Sequence, residues 1–330
     1  MIKRRKFLGG IATLLVAGVF GASILSESDA SQSEYLDGQG MPYAAFDRLP
    51  KTEIAVEGGA VQLAFAPGRI ALPHDVIIAW VKRSAKAVST YYGRFPVKTT
   101  RLLIVPVRGS RVQGGTTWGY RGGAIRITLG SDANEDDLRR DWIMAHEMVH
   151  LALPDMNERY NWLSEGLAVY IEPIARVHIG DLPEKGVWHA MMRDMPTGLP
   201  RAGDRGLDNT SSWGRTYWGG ALFCLMADID IRTRTHNRFG LQDAVRGILD
   251  AGGNHEHGWP ILRVLSTADA AIGLNVFMKL HDDYGNKPGI VDLDGIWRSL
   301  GVRSEGGTVA FDDNAPFAAT RIAIMTPRGV

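Results

Sequence analysis

Apolar and polar residues follow a period of two along two stretches of the first half of the chain, and a third stretch is a short apolar run; all three predict β-strands. Residues 53–67 alternate around a Gly-Gly turn, which is typical of a hairpin. Residues 101–107 form a short, mostly apolar strand, and residues 122–129 alternate cleanly as a strand that is exposed on one face. Residues 75–92, after the hairpin, carry apolar side chains at helical spacing and predict an amphipathic helix.

Helical spacing dominates the second half. Asn134 and the acidic residues after it predict an N-cap and a first turn, with the helix running to Leu153 before Pro154. Further helices are predicted at about 158–174, 215–231, 241–250, 259–267, 273–285 and 296–300, and final strands at 308–311 and 321–325. This order predicts an α+β fold with two lobes. We expect one domain over residues 51–330, with a strand-containing lobe at 51–153 and a mainly helical lobe at 154–330.

The first 30 residues have the pattern of an export signal. Residues 2–8 (IKRRKFL) form a positively charged segment that precedes an apolar run at 9–25. Ser28-Asp29-Ala30 offers a small-x-small cleavage site. The Arg-Arg pair resembles a twin-arginine signal. A run of about 17 residues lies at the lower limit for spanning a bilayer, so a cleaved signal and a membrane anchor both stay open. We expect an exported protein, periplasmic or anchored in the inner membrane, with a flexible lead-in at residues 31–50.

The composition narrows the possible functions. The 330 residues include 37 Lys and Arg against 36 Asp and Glu, which leaves a net charge of +1 and argues against a nucleic-acid partner. Cys224 is the only cysteine, so an intramolecular disulfide and a four-cysteine zinc cluster are both excluded. A metal ion would therefore need histidine and carboxylate ligands.

The sequence AHEMVH at residues 145–150 contains the motif H-E-x-x-H on a predicted helix. Residues four apart share one helical face, so His146 and His150 can bind the same ion. Zinc suits such ligands and keeps one position open when it is catalytic. Glu147 can then hold the metal-bound water, take its proton as general base and pass it to the leaving amine.

Two histidines leave a third ligand to be found. The downstream candidates are Asp155, Glu158, Glu165 and Glu172. Glu165 lies within an apolar helix, where a buried carboxylate needs a partner or a metal, so it is the predicted ligand. We expect Glu172 at a helix end or in a position that supports the metal ligands, and Asp155 and Glu158 in solvent.

Two segments together resemble the gluzincin metallopeptidases. HEMVH is followed by WLSEGLA at residues 162–168, and the clan carries a second motif W-L-x-E-G. Residues 216–249 resemble the glycyl aminopeptidase family of that clan, and the similarity extends over about residues 75–250. The resemblance implies a two-lobed, thermolysin-like catalytic domain with one zinc ion. It also implies that Tyr217 steadies the tetrahedral intermediate, where a phenol donor meets the developing negative charge.

The chain differs from this family at the expected substrate-binding strand. Exopeptidases of the family carry a glutamate in a G-G-x-E segment, whereas the matching residues 114–119 contain no carboxylate. Endopeptidase and aminopeptidase action therefore both stay open. We expect Gly115, Thr116 and Trp118 to bind the substrate, and residues 122–129 to hold an extended peptide by strand addition.

The predicted function is zinc-dependent hydrolysis of extended peptides or proteins in the cell envelope. The alternative is a zinc-containing scaffold or peptide-binding protein of the same fold with reduced catalysis. The missing carboxylate and Gly219 favour this alternative. Glu147 weighs against it, because binding alone does not require a general base.

Overall fold

The protein has a mixed α+β fold in which helices cover a five-stranded sheet. The computed structural model describes residues 33–36 and 40–328, so the predicted signal at residues 1–30 lies outside the described residues. Within these ranges no helix combines the length and apolar character needed to cross a bilayer. The predicted α+β class is confirmed.

The sheet contains parallel and antiparallel pairs. Its strands are β1 (Thr52–Val56), β2 (Gly59–Phe65), β3 (Thr99–Val107), β4 (Val112–Trp118) and β5 (Gly123–Gly130). They lie in the order β1-β2-β3-β5-β4, and the predicted hairpin is confirmed as β1 and β2. The pairs β2 with β3 and β3 with β5 are parallel, whereas β4 is antiparallel to β5. As a result β4 forms one edge of the sheet.

Helices make up most of the remaining chain. In chain order they are α1 (Tyr43–Arg48), α2 (His74–Tyr92), α3 (Glu135–Arg140), α4 (Ile143–His150), α5 (Asn161–His178), α6 (Glu184–Asp194), α7 (Gly220–Arg234), α8 (Leu241–Asp250), α9 (Ile261–Ile272), α10 (Phe277–Tyr284), α11 (Leu293–Leu300) and α12 (Ala318–Met325). Short 3₁₀ segments occur at Glu158–Tyr160 and Met195–Gly198, and a π-helical turn at Arg215–Gly219 leads directly into α7. A second hairpin joins β6 (Val302–Glu305) and β7 (Thr308–Phe311).

The predicted helix from Asn134 to Leu153 is divided into α3 and α4. Asn134 caps α3 as expected, because its side chain accepts from the Asp137 amide at 3.1 Å. The backbone of Asp141 is extended, and its carboxylate accepts hydrogen bonds from the amides of Ile143 and Met144, both at 3.0 Å. Asp141 thus acts as a cap that ends the first helix and begins the second.

Two further segments differ from the sequence-based expectations. Residues 321–325, predicted as a strand, lie in α12, where the buried Arg321 guanidinium donates to the Leu300 carbonyl at 3.0 Å. The helix α6 was not predicted at all. Residues 321–325 form a short, mostly apolar run with no clear period, so tertiary contacts decide their secondary structure. In α6 the buried residues Val187, Trp188 and Met191 have helical spacing, a signal that the sequence does carry.

The two faces of the sheet pack against different elements, because side chains alternate along each strand. Leu102, Ile104 and Ile125 lie in the main core with residues of α2, α4 and α5. Leu103 and Val105 face the other side, in a smaller core. In that core they meet side chains from residues that the sequence predicts as a flexible lead-in, namely Tyr35, Met41, Tyr43 and Phe46. Residues 40–50 therefore include a helix, α1, that covers this face.

A buried cluster of charges links α5 to the junction of α3 and α4. Arg176 donates to Glu172 at 2.9 Å and to Asp181 at 2.6 Å. Burial raises the pKa of Glu172 from 4.5 to about 7, since the favourable Arg176 charge is opposed by the Asp141 and Asp181 carboxylates. Glu172 is therefore largely protonated below neutral pH.

This raised pKa predicts a pH-dependent stability. A carboxyl group that binds its proton more tightly in the folded state stabilises that state fully below pH 4.5, and this contribution is lost as the pH rises through 7. We expect the unfolding free energy to fall by about 1–3 kcal/mol across this range, and to fall less in Glu172→Gln. Urea unfolding of both proteins at pH 5 and pH 8 measures the difference, with Glu57→Gln, an exposed glutamate, as the control. An equal fall in all three proteins would contradict the assignment.

Candidate metal centre

The two histidines of the H-E-x-x-H motif converge on one point beside α4. His146 and His150 lie one turn apart, both are buried, and their Nε2 atoms are 3.2 Å apart. His150 Nδ1 is 3.0 Å from the Ser164 hydroxyl, which fixes the ring with Nε2 towards His146. The predicted helix thus places both imidazoles on a common face.

Glu165 reaches the same point from α5. Its Oε2 lies 3.3 Å from His146 Nε2 and 3.5 Å from His150 Nε2. Ligands of a tetrahedral zinc ion, each bound at about 2.0–2.1 Å, lie about 3.3 Å from one another. The three donor atoms therefore have the spacing that a zinc ion requires, with a fourth position left for a small ligand.

The electrostatics of Glu165 agree with a ligand role. Burial acts to raise the pKa of Glu165, yet the His150 and His146 imidazoles outweigh burial and hold the pKa well below the ordinary carboxyl range. Glu165 is consequently a carboxylate, and two imidazoles with one carboxylate are a donor set that zinc favours.

The other predicted candidates for the third ligand lie elsewhere. Glu172 is paired with Arg176. Asp155 exchanges backbone hydrogen bonds with His257 and Trp259, and Glu158 starts a short 3₁₀ segment. Among the described residues, His146, His150 and Glu165 are the only group of three that could hold a metal ion.

A close crossing of two helices places Glu165 beside Tyr217. Gly166 of α5 packs directly on Gly220 of α7, and a Cβ atom on either glycine would overlap the backbone of the other helix. Trp162 also brings its carbonyl oxygen against Gly220. The residue before Gly166 is the predicted ligand, and the π-helical turn before Gly220 carries Tyr217. The two glycines therefore set the distance between these side chains.

Tyr217 is held as a protonated hydrogen-bond donor. Its hydroxyl donates to Glu165, and burial, followed by the charges of Glu165 and Glu147, raises the pKa of Tyr217 far above its ordinary value. Arg215 anchors the turn, because its guanidinium contacts Asp204 at 2.8 Å and donates to the Gly198 carbonyl at 2.7 Å. Single π-helical turns within helices are frequent at functional sites.

Glu147 lies against the edge strand β4. The Thr117 hydroxyl oxygen lies 2.6 Å from Glu147 Oε2 and 2.9 Å from the Glu147 carbonyl oxygen, so its single proton bonds Glu147 through the shorter contact to the carboxylate. Gly115 provides the space, since a Cβ atom there would lie 2.5 Å from Glu147 Cγ. The strand therefore fixes the carboxylate beside the two imidazoles.

Two predictions about substrate binding need correction. Residues 122–129 cannot accept a peptide by strand addition, because β5 is paired with β3 on one side and β4 on the other. The open edge belongs to β4, which pairs with no other strand of the described residues. Trp118 does not line the cleft. It is only 4% exposed and packs under α1 on the far face of the sheet.

The Thr116 side chain lies on the same face of the sheet as Trp118, away from the candidate centre, whereas Gly115 lies on the face towards the centre. Thr116 is paired with Arg126, whose guanidinium lies over the Trp118 ring. Thr117 was not predicted as a site residue. Alternation along the strand could have identified it, because Gly115 and Thr117 must share one face.

Sequence reasoning also missed two aromatic residues at the centre. The Trp142 ring lies 5.2 Å from the His146 ring at an angle of 89°. The Trp213 ring is stacked on Tyr217, with 6.0 Å between centroids. Their positions depend on the tertiary fold, and the spacing of the motif carries no signal for them.

Comparison with solved structures identifies proteins of similar fold. An aminopeptidase N family protein from Idiomarina loihiensis matches 77% of this chain with a TM-score of 0.57 and 15% identity. An M1 zinc metallopeptidase from Deinococcus radiodurans matches 74% of this chain with a TM-score of 0.47 and 16% identity. The chain spans about half the length of these proteins, 49% and 52% respectively. No protein-family model matches the chain, and neither does any of the curated proteins compared with it.

The contact between Gly115 and Glu147 predicts the outcome of a matched pair of substitutions. A methyl group at Gly115 meets Glu147 Cγ at 2.5 Å and Ile143 Cγ2 at 2.8 Å, so Gly115→Ala must displace the carboxylate. At Gly114 the nearest atom is Thr128 Oγ1 at 3.4 Å, so Gly114→Ala is accommodated. We expect Gly115→Ala to lower the unfolding free energy by about 1–3 kcal/mol, and Gly114→Ala to have a smaller effect. Equal losses in denaturant unfolding would contradict this view of β4.

Proposed function

We propose that the protein is a zinc-dependent peptidase with a two-lobed, gluzincin-type catalytic domain. The observation that carries the proposal is the convergence of the Nε2 atoms of His146 and His150 with Glu165 Oε2, at mutual distances of 3.2–3.5 Å. Glu147 and Tyr217 lie beside this centre, where a general base and an oxyanion donor are needed. The similar fold of an aminopeptidase N family protein supports a peptidase activity.

Zinc is the cofactor that these ligands fit. A zinc ion bound by His146, His150 and Glu165 would polarise a peptide carbonyl group and increase the acidity of water. Glu147 would take a proton from the attacking water and deliver it to the nitrogen of the leaving amine. The Thr117 hydroxyl occupies one carboxylate oxygen and leaves the other to carry that proton.

Tyr217 would stabilise the negative charge that develops on the carbonyl oxygen. Burial raises the pKa of Tyr217, so the phenol keeps its proton, and the hydrogen bond that it donates to Glu165 would move to the carbonyl oxygen when a substrate binds. The donor is positioned by the π-helical turn, whose Arg215 is held by Asp204.

The edge of β4 would bind the substrate. The backbone groups on its outer side face away from β5, so an extended peptide could pair with residues 114–117 beside Glu147. Residues 114–119 contain no carboxylate to bind a free amino terminus, which supports endopeptidase over aminopeptidase action. The export pattern of residues 1–30 supports peptides or proteins of the cell envelope as substrates.

A zinc-containing scaffold of the same fold is less well supported. Such a protein needs the three ligands only. The hydrogen bond from Thr117 would then hold a carboxylate, Glu147, that zinc binding alone does not require.

The test of the general base is Glu147→Gln. We expect this variant to retain one zinc ion per chain and to lose about 10²- to 10⁴-fold in turnover, because proton transfer is lost while the ligands stay. Elemental analysis and digestion of a quenched fluorogenic peptide library, with and without a chelator, measure the two properties. Glu158→Gln, an exposed glutamate of the following loop, should behave as wild type. An equally active Glu147→Gln protein would refute the base, and stoichiometric zinc without cleavage by wild type would favour the scaffold.

The test of the ligand set compares two glutamates of the same helix. Glu165→Gln should weaken zinc binding by at least about 100-fold, since even groups that only support a ligand contribute 10- to 100-fold. Glu172→Gln should leave zinc affinity unchanged, because Glu172 is paired with Arg176. Competition with a fluorescent zinc chelator measures both affinities. The reverse order would assign the third ligand to Glu172.

A further inference from the structure

Two tryptophans are exposed to solvent, and both lie at the candidate centre. The chain has nine tryptophans. Six are buried and Trp218 is half-buried, whereas Trp142 is 47% exposed and Trp213 is 55% exposed. Each of the two contacts the ring of a site residue, His146 in one case and Tyr217 in the other.

Trp142 is fixed at the start of the helix that carries the histidines. It lies four residues before His146, and its carbonyl oxygen accepts from the His146 amide at 3.0 Å. The preceding Asp141 caps the same helix and also accepts from the Trp80 indole at 3.2 Å. These hydrogen bonds therefore fix the backbone that carries the exposed indole.

Trp213 occupies the corresponding position on the helical lobe. It lies four residues before Tyr217 and is stacked on that ring. Gly214 packs its backbone against Thr197, and Arg215 is bound by Asp204, so the segment is held on both sides. The two indoles thus come from different lobes and flank the residues proposed to act on the peptide bond.

The charged residues close in sequence to the two tryptophans, Asp141 and Arg215, already have hydrogen-bond or ion-pair partners within the protein. Asp141 is bonded to the α4 amides and to Trp80, and Arg215 is paired with Asp204. Neither group is available to select a charged substrate side chain. Tryptophan is among the residue types enriched where binding energy is concentrated, and these two exposed indoles are in ring contact with residues of the candidate centre.

We propose that Trp142 and Trp213 form two subsites that select aromatic side chains on either side of the scissile peptide bond. This inference rests on the proposed peptidase function. An aromatic side chain of an extended peptide stacks on an indole, whereas an alanine at the same place leaves the indole in water. The two residues determine specificity and take no part in proton transfer.

The test compares matched quenched peptides that carry phenylalanine or alanine on both sides of the cleaved bond. Wild type should cleave the phenylalanine peptide with a kcat/KM about 100-fold above that of the alanine peptide, because each subsite contributes about 10-fold. Trp142→Ala and Trp213→Ala should each reduce this preference about 10-fold, because cleavage of the phenylalanine peptide falls more than cleavage of the alanine peptide. Leu262→Ala, which removes an exposed apolar side chain on α9, should keep the wild-type preference.

Three further measurements decide between the possible outcomes. The zinc content of each variant shows whether the substitution has disturbed His146. Trp142→Phe keeps an aromatic ring at this position, so a restored preference for phenylalanine in this variant supports the subsite. Equal losses on both peptides, or a larger loss on a peptide that carries a disaccharide, would overturn the proposal. If wild type cleaves no peptide, the peptidase function fails. Calorimetry of zinc-loaded Glu147→Gln then measures binding of the phenylalanine peptide without cleavage. Adding Trp142→Ala or Trp213→Ala to this variant should weaken binding about 10-fold. Unchanged binding would contradict the subsites.

Discussion

The contact between Gly166 and Gly220 determines whether the helical half of the candidate centre can form. Because neither residue has a Cβ atom, α5 and α7 approach until their backbones touch. Glu165 and Tyr217 flank this contact in the sequence, and their side chains meet in a hydrogen bond. A larger residue at either position would separate the helices and, with them, the proposed metal ligand Glu165 from the proposed oxyanion donor Tyr217.

The other half of the centre depends on a second close approach. Gly115 allows Glu147 to lie flat against the edge of the sheet, and Thr117 binds its carboxylate. The histidines project from the same helix α4, whose start is fixed by the Asp141 cap. In both halves, glycines at close contacts determine where the side chains of the candidate centre lie.

The sequence allowed the local parts of this arrangement to be predicted, and the long-range parts only incompletely. The spacing of His146 and His150 defines a helical face, and the apolar setting of Glu165 indicates a carboxylate that needs a partner. The order of the strands depends on pairing between distant segments, so the open edge was assigned to β5 instead of β4. Alternation shows that Trp118 and Thr117 point to opposite faces, but not which face carries the centre. Solvent exposure of Trp142 and Trp213 is likewise a property of the folded chain.

The hydrogen bond between Thr117 and Glu147 has a consequence for the geometry of the reaction. A peptide aligned along β4 would take its position from the same backbone that holds the carboxylate. A small displacement of this strand would then carry the scissile bond and the proton acceptor together, and their separation would be preserved. The sheet margin would position both the bound peptide and the Glu147 carboxylate, so the alignment of these two groups would not rely on the rigidity of the whole domain.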